Sequence, residues 1–147
     1  MASHSETQVS PFSARQMFDL VLDVEKYPEF LPWCVALRVR KRAEGEMFAD
    51  MAVGFKVLRE NYTSHVTWED MPDDSFHVHV KDTGGLFKFL ETDWAFSPRD
   101  GGCRIDFHID FEFNSALLEK VMGAVFTDAA HKMMQSFMDR AEDVYHK

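Results

Sequence analysis

Two cysteines, Cys34 and Cys103, are all the thiols the 147 residues carry. That is too few for the disulfide framework on which small secreted domains depend, and a chain of this length can bury a core without one. Proline (5) and glycine (7) are scarce as well, which excludes collagen-like and Pro/Gly-rich disordered architectures. There is no internal repeat and no low-complexity linker, so a single domain over 1–147 is expected. Basic residues are in deficit: 16 Lys and Arg face 25 Asp and Glu, a net charge of −9. Such a balance does not suit a general nucleic-acid binder, whose affinity comes from neutralising phosphates, and DNA is not expected as a partner. No apolar run approaches the ~20 residues that span a bilayer, so any membrane contact is expected to be peripheral. The opening MASHSETQVS has no apolar segment of the secretory kind. The thiols are read as reduced and the protein as cytoplasmic, with the surface of the inner membrane as the alternative place for it.

Phenylalanine (14) and methionine (9) are in excess, and their spacing gives the elements. HSETQVS reads as a short strand. In SPFSARQMFDLVLDV, Ser10 or Ser13 can cap a helix, Pro11 suits its first turn, and Phe12, Met17, Leu20 and Val21 repeat at helical spacing. YPEFLPWC then packs three aromatics, a leucine and two prolines into eight residues, with Pro28 in a second short helix or turn and Pro32 ending it. VALRVRKR alternates, Arg38, Arg40 and Arg42 on one side, Val35, Leu37 and Val39 on the other. MFADMAVGFKVLRENYTSHVTWE supplies two strands with a bend near Arg59 to Asn61. DMPDDS reads as a turn, FHVHV as a strand, DTGG as a turn, LFKFLETDWAF as a strand and SPRDGG as a hairpin loop. The last strand, CRIDFHIDFEF, sets Ile105, Phe107, Ile109, Phe111 and Phe113 against Arg104, Asp106, His108, Asp110 and Glu112, the pattern of a half-buried antiparallel strand.

From Asn114 onward there is no proline and one glycine. Asn114 or Ser115 can cap a long helix with a broad apolar face: Leu118, Val121, Met122, Val125, Phe126, Ala129, Met133, Phe137, Ala141 and Val144. At about 1.5 Å per residue it would run roughly 45 Å. Strands segregated from helices predict an α+β domain: a curved antiparallel sheet of six to seven strands wrapped around one long C-terminal helix, with two short helices near the N-terminus.

The segments SARQMFDLVLDVEKYPEFLPWC, VGFKVLRENYTSHV, GGLFKFLETDWAF and IDFHIDFEF, with the long terminal helix, resemble the START-like superfamily, whose fold is the helix grip. Within it the chain is most similar to the coenzyme Q-binding, polyketide-cyclase-like (SRPBCC) family, and DVEKYPEFLPWC is the most specific part. The likeness runs from about Thr7 to Met138. It implies a lipid-binding protein rather than an enzyme, a carrier or chaperone for ubiquinone that supports respiration. One bacterial branch is instead described as a toxin that blocks association of ribosomal subunits. That makes the large ribosomal subunit the alternative partner. No shared catalytic constellation comes with the resemblance, and ubiquinone would be cargo rather than a catalytic cofactor.

On the alternation rule, the wall of such a cavity would come from Met51, Val53, Phe55, Leu90 and Trp94, with Phe107, Ile109 and Phe111 from the last strand. The helix would add Leu118, Met122, Val125, Phe126 and Met133. Methionine suits a pocket that must be filled and emptied, and Tyr62, Thr92 and Thr127 are the polar candidates for a head group. Each CH₂ buried is worth about 0.8 kcal/mol, so a prenyl tail would supply much of the affinity. Tyr27, Phe30, Leu31, Pro32 and Trp33 would cap one end of the groove as plug or lid. His65, His77 and His79 share the polar side of one predicted hairpin, with Trp68 opposite Phe76 and His65 near His79. They lack an obvious fourth ligand, and no metal is expected. Neither cysteine lies in a nucleophile motif, the inward faces look nearly free of ionisable groups, and no catalytic residue is assigned. The basic run RVRKR is read first as the charged face of an edge strand and second as a patch for anionic head groups or RNA.

Overall fold

The structure, a computed structural model, describes residues 2–31, 34–55, 58–83 and 87–145; the side chains of residues 2, 53, 55, 58–60, 83, 118 and 121–126 lie outside that description. Seven antiparallel strands form one sheet: β1 (Ala2–Ser10), β2 (Cys34–Ala43), β3 (Glu46–Phe55), β4 (Leu58–Met71), β5 (Ser75–Thr83), β6 (Phe87–Arg99) and β7 (Gly102–Phe113). Their order is β1-β7-β6-β5-β4-β3-β2, a meander from β2 to β7 with β1 laid along the free side of β7. Among the described residues there are three α-helices: α1 (Ala14–Leu22), α2 (Tyr27–Phe30) and the 30-residue α3 (Ala116–Tyr145). This is the α+β arrangement that the pattern predicts, and the helix grip that the resemblance implies.

Local chemistry explains the helix starts. Ser13 is the cap of α1, and Gln16 completes a reciprocal box: Gln16 N–H donates to Ser13 Oγ at 3.1 Å and Ser13 N–H to Gln16 Oε1 at 2.9 Å. Ser10 Oγ instead accepts from the Phe12 N–H and shapes the corner before the helix. That corner needs Gly102, because a Cβ there would lie 1.8 Å from the Ser10 carbonyl oxygen and 2.9 Å from the Pro11 carbonyl carbon. Pro28 is tolerated in α2 because the first helical turn needs no N–H from it.

α1 seats on β5, β6 and β7, burying Met17, Phe18, Leu20 and Val21, with Phe18 stacked 4.5 Å from Phe76. α3 lies along β1 and β7 and buries Ala130, Met134, Phe137 and Ala141. The predicted helical face included Val144, but it is 48% exposed at the end of α3.

Four details of the strands differ from expectation. Phe55 pairs with Leu58, so β3 and β4 reverse there and Arg59 to Asn61 lie inside β4. The β4–β5 reversal is confined to Pro72–Asp74, where Asp73 and Asp74 take positive φ. The register is therefore Trp68 opposite Val78 and Phe76 opposite Asp70, with His65 opposite Lys81 and His79 opposite Thr67. β5 runs on through Asp82 and Thr83, which the turn-like DTGG composition had suggested were already outside it. On β2 the register shifts between Cys34 and Ala36, and Val35, expected inward, is 50% exposed.

Candidate functional site

Inward-facing residues of β6 and β7 make a closed aromatic wall. Trp94 lies 4.7 Å from the Phe107 ring and 5.2 Å from the Phe137 ring of α3, while Phe87 stacks 4.7 Å from Phe113. Leu90, Trp94, Phe107, Ile109 and Phe111, all predicted to line the interior, are buried there. Toward β2 the same face is less filled. Leu37, Met51 and Tyr62 form one row across β2, β3 and β4. Tyr62 is buried, but Leu37, Met51 and neighbouring Val39 are only partly so. Met133 of α3 is also partly buried. Val53 and Phe55 of β3 and Leu118, Met122, Val125 and Phe126 of α3 belong to described elements, with side chains outside the description.

The inner face carries a carboxyl that the sequence reading missed. Phe76, Val78, Val80 and Asp82 alternate inward along β5, and Asp82 sits opposite buried Ser64, whose hydroxyl donates to Asp82 Oδ1. Burial raises the Asp82 pKa to about 6, against the opposing pull of the Ser64 hydroxyl. Burial also drives the Tyr27 phenol strongly upward, and its acidic neighbours Cys34, Asp23 and Asp82 add to the rise. Thus the interior holds an ionisable group beside Ser64, and Tyr27 is within its electrostatic reach. Of the expected polar candidates, Tyr62 and Thr92 are buried and Thr127 is partly buried. Both cysteines are buried thiols whose pKa burial raises to about 11, which removes them as nucleophiles near neutral pH.

The described part of the aromatic segment is pinned between α1 and α3. The Tyr27 hydroxyl donates to the Val21 carbonyl. The Tyr27 and Phe30 rings meet Phe137 edge-on at 5.3 and 5.2 Å, and Leu31 is 1% exposed. Arg140 lies over the Phe30 ring at 5.2 Å and reaches Glu29 at 3.3 Å. Pro32 and Trp33 lie outside the described residues.

A groove of about 640 Å³ crosses β2, β3 and β4, and most of its lining comes from the outward row: Ala36, Arg38, Arg40, Asp50, Ala52, Asn61 and Thr63. Arg40 holds Asp50 through two bonds, at 2.6 and 3.1 Å, and Thr63 donates to the same carboxylate. The bonds from Arg40 and Thr63 keep the Asp50 carboxyl below its usual range. Arg42 pairs with Glu25 at 3.5 Å. Groove and basic run share one edge of the sheet.

The outer-face histidines do not converge. His65 stacks on Phe48 and faces Glu46, whereas His77 and His79 share Asp93. Among the described residues, the group that brings three candidate metal ligands to one point is His4, Glu6 and His131. His131 lies 125 residues along the chain from Glu6 and further still from His4, so no local motif announces the group.

A family model described as polyketide cyclase / dehydrase and lipid transport matches residues 10–138. The ribosome association toxin RatA of Escherichia coli (strain K12) is 38% identical, over 99% of this chain and 90% of that protein. The mitochondrial coenzyme Q-binding protein COQ10 homolog B of Xenopus laevis is 35% identical over 97% of this chain, which spans 59% of that protein. The solution structure of the 18 kDa protein CC1736 from Caulobacter crescentus superimposes with a TM-score of 0.76, 35% identical, both chains covered in full. Among the described residues no helix is long and apolar enough to cross a membrane.

Proposed function

The chain belongs to the polyketide cyclase / dehydrase and lipid transport family, and on that premise we propose that it binds and releases a hydrophobic small molecule between the inner face of the sheet and α3. The observation that carries this reading is the uneven filling of that face. Leu37, Val39 and Met51 point inward yet stay partly exposed, beside buried Tyr62 and the Ser64–Asp82 pair. An apolar wall with a few convergent polar groups is what a lipid with a small polar head requires. The ligand is ubiquinone or a related prenyl lipid, a choice supported by the coenzyme Q-binding relative. Its tail gains about 0.8 kcal/mol per buried CH₂. Below about pH 6 the Asp82 carboxyl is protonated and offers a donor to a quinone oxygen. No bond is made or broken, and the role is carriage of the quinone to the respiratory chain.

Protein purified from its native source and extracted with organic solvent should release a quinone detectable by mass spectrometry. The delipidated protein should lose tryptophan fluorescence when a short-chain ubiquinone is added. Empty protein that a short-chain quinone does not quench overturns the reading.

A second reading has its own support. The basic residues Arg38, Arg40, Lys41 and Arg42 lie exposed on edge strand β2 next to the outer groove, and a relative 38% identical is named a ribosome association toxin. On this reading β2 docks on ribosomal RNA of the large subunit and blocks subunit association. Sucrose-gradient profiles with added protein would show loss of intact ribosomes, and an Arg38→Glu/Lys41→Glu variant would restore them. Unchanged profiles at excess protein remove this reading.

A further inference from the structure

We propose that His4 and Glu6 of β1 and His131 of α3 form a binding site for one zinc-class transition-metal dication, independent of the lipid site. Strand alternation puts His4, Glu6 and Gln8 on the face of β1 that looks toward α3, and His131 approaches from the helix. Glu6 Oε1 is 2.9 Å from His4 Nε2 and 3.1 Å from His131 Nδ1, and the three ligand atoms lie within 4.8 Å of one another. Around a tetrahedral zinc with bonds of about 2.0–2.1 Å, neighbouring ligand atoms stand about 3.3 Å apart. The two distances to Glu6 reach that spacing by shifts of a few tenths of an ångström, and the two imidazole nitrogens already stand within 4.8 Å of one another.

The donor set selects the class. Two imidazoles and one carboxylate suit zinc, cobalt or nickel, whereas calcium and magnesium prefer oxygen alone. The carboxylate is already oriented as a ligand should be. Gln8 Nε2 donates to Glu6 Oε2 at 2.8 Å, leaving Oε1 for the ion. The Glu6 side chain is 11% exposed while that of His131 is 60% exposed. The site thus has a fixed floor and a side open to solvent, through which an ion enters and a water completes four-coordination. Bound there, the ion clasps the edge strand to the long helix.

The test uses the full chain, stripped with a chelator and titrated with cobalt(II) and with zinc(II) alone. Wild type should take up one equivalent of cobalt with the visible bands of a four-coordinate ion, and zinc should displace it. His131→Ala changes an exposed helix position that the fold does not need, and it should abolish the stoichiometric uptake. His131→Cys should keep the cobalt and add a near-ultraviolet thiolate-to-metal band. Gln8→Ala should weaken binding by about tenfold or more, while His77→Ala, on the opposite face, should leave it unchanged. Absence of stoichiometric uptake by wild type overturns the proposal, and so does uptake undiminished in His131→Ala. A trio that only hydrogen-bonds would show the first of these results.

Discussion

Along β7 the inward side chains from Cys103 to Phe113 are at most 4% exposed, whereas on β2 inward Leu37 and Val39 stay partly exposed. Both strands alternate, and both carry apolar residues on the inner side. They differ in what lies around them. β7 has a strand on each side, and α1 and α3 both seat on it. β2 has one neighbouring strand, two register shifts and a row of arginines, and what packs on it is the four-residue α2 and the turn at Val24–Lys26 rather than a long helix. An alternating strand supplies an apolar face, but helices decide whether that face becomes core. The β5–β7 wing is the closely packed half of the grip, and the β2–β4 wing is the less filled half.

The comparison is sharpest under truncation. Phe107→Ala should cost about 3–5 kcal/mol in denaturant unfolding, the usual cost for a buried aromatic in a wall that cannot collapse. Met51→Ala should cost only about 1 kcal/mol, because Met51 is only partly buried. Equal losses would break the distinction between the wings.

Asp82 gives the next effect, and its sign is opposite. Its folded pKa, about 6, lies above the ordinary 3.8, so the native state binds this proton more tightly than the unfolded chain does. Stability contributed by this site is therefore full below about pH 4 and is lost as pH rises through 6. Asp82→Asn should stabilise the protein by on the order of 2 kcal/mol at pH 8, and melting curves of variant and wild type should converge near pH 4. A variant less stable than wild type at pH 8 would show that the carboxylate is better satisfied than its surroundings suggest.

Ser13→Ala removes one half of the capping box and should cost about 1 kcal/mol, through α1 and hence on the packed wing alone. Ligand uptake should not change with it. Phe30→Ala probes the contact between the two halves, since its ring lies between Tyr27, Phe137 and Arg140. Faster lipid exchange with little lost stability identifies the segment as a lid. Lost stability with unchanged uptake identifies it as a plug.

Much of the packed wing was legible in the sequence, because CRIDFHIDFEF and LFKFLETDWAF alternate without interruption and the long helix has no breaker. The capping residue was narrowed to Ser10 or Ser13, and Gln16 at the right distance from Ser13 decides between them. What could not be read depends on pairing rather than composition. DTGG has the residues of a turn, but ladders to β4 and β6 carry the strand through Asp82, so the interior carboxyl was assigned to a loop. Following Phe76, Val78 and Val80 two residues further would have found it. The tight reversal at Asp73 and Asp74 moved the β4–β5 register, and with it the histidines. The end of α3 leaves Val144 in solvent, a matter of where the helix runs out of partners. The His4–Glu6–His131 cluster joins opposite ends of the chain and has no local pattern.

The corner at Gly102 has a consequence for how the chain is made. β2 to β7 can zip up hairpin by hairpin as they leave the ribosome, each strand pairing with the one just before it. β1 emerges first and cannot: Ser5 meets His108, 103 residues later, and the Ser10–Pro11 bend seats only where Gly102 has no side chain. Until β1 docks, β7 presents an unpaired edge. For a newly made molecule, the interval between finishing β7 and capturing β1 is the time of greatest exposure to aggregation.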